Sequence, residues 1–155
     1  MNKLKGGIIL LILFIVAAYS SLFIEEYFRK TIRYLYEYST NGKISFFFTG
    51  KHYFLSEKFA FSFGLFMVIF SFLLYRQTNR KRVIIFFLTI LLFIISIVIS
   101  CYFDASLKLV ECTACNGGAK QLHYNDINYD FIFISALFFA LIPTLITEIR
   151  KQLIK

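Results

Sequence analysis

Long stretches without any ionisable side chain limit most strongly how this chain can fold. Asp, Glu, Lys, Arg and His are absent from residues 6–24, 59–75, 83–103 and 131–147, which contain 19, 17, 21 and 17 residues. A helix needs about 20 apolar residues, within a range of about 17–25, to cross a hydrocarbon core of ~30 Å. Only helices and closed barrels satisfy their backbone in lipid, and unbroken apolar runs lack the alternation of a barrel strand. The sequence therefore predicts an all-α integral membrane protein, a four-transmembrane-helix bundle in a single polytopic domain over residues 1–155.

The composition also indicates that lipid is the solvent for much of the chain. Apolar residues make up 59% of the 155 residues, whereas soluble domains contain about 45–50%. One soluble core of this size cannot bury such an excess, because small domains leave a large share of their surface exposed.

The first apolar run has a second interpretation, a cleavable signal peptide. Lys3 and Lys5 precede it, and it contains the small residues Ala17 and Ala18, as signal peptides do. The run continues to Ile24, which is longer than the apolar region of a signal peptide. We therefore expect a retained helix.

The charges are divided unevenly between the connecting segments. Residues 1–5, 76–82 and 148–155 hold nine Lys and Arg against one Glu, a net charge of +8, while loops 25–58 and 104–130 hold eight basic and eight acidic residues. By the positive-inside rule the basic segments, with both termini, are cytoplasmic and the two loops are extracytoplasmic. We expect a multi-pass protein of the plasma membrane, the inner membrane of a bacterium. The basic excess needs no nucleic acid to explain it, and none is predicted as a partner.

Small residues, several of them polar, are regularly spaced inside the runs. Small residues at i, i+4 let helix backbones approach each other closely, so they predict packing within the bundle. These residues are Ala17 and Ser21, Ser96 and Ser100, and Ala136, Ala140 and Thr144.

Residues 25–39 read as an amphipathic helix in the first loop. Glu25 and Arg29 are an i, i+4 pair of opposite charge, and neither Gly nor Pro interrupts the segment before Asn41-Gly42. The helix either lies on the membrane surface or continues the first transmembrane helix outwards. Residues 43–58 are predicted to form a short hairpin or to dip into the interface.

The second loop carries a CxxC pair, Cys112 and Cys115, with Cys101 as the third cysteine of the chain. A structural disulfide is the first of three interpretations, because oxidised thiols persist outside the cytoplasm. The bridge joins either the CxxC pair or Cys101 to one of its members. Closing a loop of about 12–15 residues is worth roughly 3 kcal/mol.

A redox dithiol is the second interpretation of Cys112 and Cys115. A CxxC in a four-helix membrane protein resembles the bacterial disulfide-forming quinone reductases and the vitamin K epoxide reductases. The resemblance implies a membrane thiol-disulfide oxidoreductase. Those families use a second cysteine pair as a shuttle, and this chain has only Cys101 left.

A zinc-stabilised loop is the third interpretation. Cys112, Cys115 and His123, with Asp126 or Cys101 as fourth ligand, have spacing suited to tetrahedral coordination. The stretch CTACNGG is also similar to one zinc-binding CxxCxGxG repeat of a class of heat-shock chaperones, with Ala119 in place of the last glycine.

The sequence lacks the residues of other common activities. The runs contain no ionisable residue, which argues against a pump or an ion-coupled transporter. No GxSxG, HExxH or glycine-rich phosphate loop is present. We therefore expect a small non-enzymatic protein without a cofactor. Besides the bilayer, its partner is another membrane or extracytoplasmic protein. It is either an accessory subunit or a protective partner, and its plan resembles the four-helix immunity proteins against pore-forming colicins.

Overall fold

Four long helices form the body of the protein in a computed structural model that describes residues 3–47, 56–110 and 120–153. The helices are α1 (Lys3–Ser39), α2 (Glu57–Tyr75), α3 (Asn79–Val110) and α4 (Tyr129–Leu153), the strands are β1 (Ile44–Phe47) and β2 (Lys120–His123), and a 3-10 turn covers Tyr124–Asp126. Within these described ranges, all four helices are long and apolar enough to cross a membrane, and each contains one of the predicted runs. This supports a multi-pass helical membrane protein.

Helix α1 extends well beyond its apolar run. It continues without a break from Ile24 to Ser39, a further 15 residues, which is about 22 Å at about 1.5 Å per residue. Residues 25–39 therefore continue the first helix rather than forming a separate one. The helix ends at Ser39, just before the predicted break at Asn41 and Gly42, whose φ angles of 50° and 72° are left-handed. The Gly42 amide donates to the Glu37 carbonyl at 3.1 Å, a bond typical of a helix C-terminus.

The helices pack in the order α1, α2, α4, α3, and α1 contacts α3 to complete the ring. We call the end where α1 and α3 finish and α2 and α4 start the loop end, and the opposite end the basic end. The predicted small residues lie at the helix contacts, with Ser100 partly and the others fully buried. The Ser100 and Ser135 hydroxyls, 3.1 Å apart, form a hydrogen bond between α3 and α4.

A group of phenylalanines fills the bundle on the loop-end side, one from each helix. The Phe59 and Phe133 rings are stacked with centroids 3.6 Å apart. Phe28 lies 5.1 Å and Phe93 lies 6.2 Å from Phe133, both edge-on. Edge-to-face and stacked pairs are favourable beyond the area they bury, so this group links all four helices.

A two-stranded parallel sheet connects the two loops. β1 pairs with β2 in a register that aligns Ile44 with Lys120 and Phe46 with Leu122, and Ile44 and Leu122 are buried. The described strand of residues 43–58 thus pairs with the second loop, while the rest of the predicted hairpin, residues 48–55, lies outside the described residues.

The basic end is held by ion pairs and helix caps. Arg76 forms an ion pair with Glu148 of α4 at 2.9 Å, and Lys151 donates to the Arg76 carbonyl at 2.7 Å. Arg82 of α3 donates to the Leu74 carbonyl at 3.2 Å and to the Gln77 carbonyl at 3.1 Å. These cations satisfy carbonyls that the end of α2 leaves without a helical partner.

The contact of α1 with α2 depends on Gly64, and a substitution there tests it. A Cβ atom at Gly64 would lie 2.8 Å from the Phe14 ring, whereas a Cβ at Gly7 of α1 would meet nothing within 4 Å. We expect Gly64→Ala to cost about 1–3 kcal/mol through overpacking, measured as a lower unfolding midpoint in detergent. Gly7→Ala is the matched control and should leave the midpoint unchanged or raise it. Equal midpoints for the two variants would contradict this account of the α1–α2 contact.

Candidate functional site

Polar side chains gather at the loop end, just beyond the apolar runs. Three of them, Tyr36 of α1, Asp104 of α3 and Asn128 before α4, form a group that we call the carboxylate cluster. The Tyr36 hydroxyl donates to Asp104 Oδ2. The Asn128 side chain donates to Asp104 Oδ1 at 3.0 Å, and its backbone amide donates to Oδ2 at 3.4 Å. Tyr36 is 0% and Asp104 4% exposed.

This arrangement explains how a carboxylate can be buried here. An unpaired buried charge is costly, and hydrogen bonds to the charged form offset that cost. Three donors from α1 and the start of α4 act on the carboxylate of α3. The carboxylate cluster therefore joins three elements.

A second group joins α1 to α2 and α4. Glu25, 2% exposed, pairs with Arg29 at 2.6 Å and accepts the Ser56 amide at 3.2 Å. The Ser56 hydroxyl donates to Asp130 at 3.1 Å. Arg29 also lies over the Tyr129 ring, 4.5 Å from its centroid, a cation–π contact. The clusters around Asp104 and Glu25 thus both hold the helices in position.

Cys101 is buried, with 1% of its surface exposed, and its thiol is free. Its Sγ lies 3.8 Å from the Ile32 carbonyl oxygen of α1, as a weak donor. Cys112 and Cys115 lie outside the described residues, so both the disulfide and the redox interpretation stay predictions.

His123 and Asp126, the other predicted zinc ligands, act together in a short turn. The Asn125 amide donates to His123 Nδ1 at 3.2 Å, and the His123 amide donates to Asp126 Oδ2 at 2.9 Å. This reciprocal pair is a capping box. Across the part of the chain that the structure describes, no three His, Cys, Asp or Glu side chains are placed to hold a metal.

Exposed tyrosines follow one side of the α1 extension. Tyr27, Tyr34 and Tyr38 are 74%, 63% and 85% exposed. With about 3.6 residues per turn their positions fall within about 40° around the helix axis. The buried side chains Ile32 and Tyr36 lie on the other side of the helix. We call Tyr27, Tyr34 and Tyr38 the tyrosine face.

Comparison of the chain with family models, with curated protein sequences and with solved structures finds no match. Function is therefore inferred from the geometry of the described residues.

Sequence reasoning missed Asp104 and Tyr36 as partners, although a signal for each is present. Asp104 continues the i, i+4 series of Ser96 and Ser100. Tyr36 lies four residues after buried Ile32. Extending the buried stripe of each helix past the end of its apolar run would have found both.

The Tyr36 hydroxyl tests the carboxylate cluster. Tyr36→Phe removes one donor from a buried carboxylate, which we expect to cost about 1–3 kcal/mol, seen as a lower unfolding midpoint in detergent. Tyr34→Phe removes the same hydroxyl from the exposed side and should have no effect. In an Asp104→Asn background the cost of Tyr36→Phe should shrink, since a neutral acceptor loses less. An unchanged cost in that background would argue against the coupling.

The three thiols are distinguished by reagent labelling read by intact mass. Because Cys101 is buried, we expect it to react only after unfolding. If Cys112 and Cys115 are linked, one thiol labels in unfolding detergent before reduction, mapped to Cys101, and three label after reduction. Three labels before reduction would contradict the disulfide, and a labelled Cys101 in the folded protein would contradict its burial.

Proposed function

We propose that this chain is a small non-enzymatic integral membrane protein that acts by binding another protein through its tyrosine face. The observation that carries the proposal is the exposed tyrosine face on a helix that continues past the apolar run without a break. The protein is either an accessory subunit of a membrane complex or a protective partner.

The charge distribution supports an orientation with both termini in the cytoplasm. The segments at the basic end carry a net charge of +8, and the two loops sum to zero. Lys and Arg are retained on the cytoplasmic side. The tyrosine face then lies outside the cytoplasm, in the periplasm of a Gram-negative cell.

The contact of Tyr36 with Asp104 sets the level of these tyrosines relative to the membrane. Asp104 lies one residue beyond the third apolar run, and Tyr34 and Tyr38 are each two residues from Tyr36, about 3 Å along the helix. The headgroup region adds only roughly 5–8 Å to each side of the hydrocarbon core. Both rings therefore lie at the membrane surface, within reach of a partner protein that is itself in the membrane or bound at its surface.

The structure around the tyrosine face favours binding energetically. Tyrosine is enriched among the residues that dominate binding energy at protein interfaces. Tyr36 and Glu25 hold the opposite side of the helix through buried hydrogen bonds. A helix that is already ordered loses little conformational freedom when a partner binds.

The rival function is thiol-disulfide exchange by Cys112 and Cys115. A relay would need a further accessible thiol, and Cys101 is 1% exposed. A zinc-stabilised loop would draw His123 and Asp126 away from the capping box that they form. Both observations favour the protein-binding proposal.

A photo-crosslinking amino acid placed at position 38 tests the proposal in the native membrane. We expect a discrete protein adduct from position 38, and none from Glu37, which is exposed but turned by about 100° around the helix. The double variant Tyr27→Ala/Tyr34→Ala should abolish the adduct while the unfolding midpoint stays unchanged. Adducts with lipid alone, or a purified monomer that reduces quinone through Cys112 and Cys115, would overturn the proposal.

A further inference from the structure

An apolar groove of about 400 Å³ lies between α3 and α4 towards the basic end. Ile84, Leu88 and Leu91 form its α3 wall, and Pro143 and Ile146 are on its α4 wall. All the named residues except Pro143 are exposed, so the groove opens on the outer surface of the bundle. In a membrane that surface faces lipid.

The groove has the length of one lipid leaflet. Along α3 it reaches from Lys81 to Leu92, which is about 16 Å at about 1.5 Å per residue. Half of a ~30 Å hydrocarbon core is about 15 Å. A single acyl chain that enters from the basic end therefore matches the groove in length as well as in polarity.

A lysine side chain lies at the basic-end opening of the groove. Lys81 is exposed and lines the end that lies in the basic turn. The ion pairs of this end join Arg76 and Lys151 to Glu148, and none among the described residues includes Lys81. An ammonium at the membrane surface attracts anionic headgroups.

From this juxtaposition we propose that the α3–α4 groove is a binding site for an anionic glycerophospholipid. One acyl chain lies against Leu88 and Ile146, and the phosphate pairs with Lys81. The site is independent of the tyrosine face, which lies at the loop end.

Native mass spectrometry of the protein in mild detergent tests the site, with phosphatidylglycerol and phosphatidylcholine of identical acyl chains as probes. We expect the protein to retain phosphatidylglycerol in preference to phosphatidylcholine. Lys81→Gln should weaken retention of phosphatidylglycerol about fivefold. Arg80→Gln removes one charge from the same turn but is not on the groove, so retention should be unchanged.

A second pair of variants tests the apolar wall. Ile146→Phe narrows the groove and should cause a loss of bound phosphatidylglycerol, whereas Ile134→Phe, on an exposed position of α4 towards the loop end and away from the groove, should not. Equal retention of the two lipids, equal effects of Lys81→Gln and Arg80→Gln, or no loss with Ile146→Phe would overturn the proposal. A mass of two chains that Ile146→Phe abolishes would show a second copy in the groove and would also overturn it.

Discussion

The buried carboxylate of Asp104 is the interaction on which the loop end depends. Asp104 lies one residue beyond the third apolar run, where the helices leave the region in which lipid alone can surround them. Tyr36 and Asn128 supply its hydrogen bonds from α1 and from the residue before α4. Losing either residue would leave a buried charge with fewer hydrogen bonds, which is more costly than losing an exposed bond. The α1 extension is held against α3 for this reason, and the sheet of β1 and β2 lies beside that contact.

Between the two ends, the helices associate by a different kind of contact. Lipid tails are as apolar as leucine, so the hydrophobic effect does not drive one helix against another inside a membrane. Close contact instead depends on shape, through small residues such as Gly64 and Ala140 and through the stacked Phe59–Phe133 pair. Such contacts restrict the relative positions of helices less than directional bonds do. The apolar contacts in the middle of the bundle therefore leave some freedom for the helices to slide along each other. The carboxylates at the loop end and the Arg76–Glu148 pair at the basic end fix their relative positions.

Features that depend on neighbouring residues could be predicted from the sequence, whereas contacts between distant residues could not. The four apolar helices and the end of α1 just before Asn41-Gly42 depend on neighbouring residues, and the structure confirms both. The spacing within each helix indicates that Asp104 and Tyr36 are buried, but their pairing, like that of β1 with β2, joins distant parts of the chain and no local spacing predicts it. The CxxC pair is easily recognised in the sequence because its two cysteines are close neighbours. The polar groups that hold the described helices together lie in other parts of the chain. The spacing of Tyr27, Tyr34 and Tyr38 places them on one side of a helix, but the direction of that side is set by the burial of Ile32 and Tyr36 on the other side.

The two proposed binding sites differ because the charge is separated between the two ends of the protein. The loops sum to zero charge, so long-range attraction would contribute little to the proposed encounter at the tyrosine face, and specificity there would come from short-range aromatic contact on an ordered helix. The basic end carries the whole net charge of +8 and lies beside a surface of anionic lipid in the proposed orientation, where each cation adds attraction. Because Lys81 lines the opening of the apolar groove, the proposed lipid would have its phosphate beside a cation and its acyl chain in the groove. A lipid held there would brace α3 against α4 at the basic end, far from Asp104, which holds the same two helices in register at the loop end.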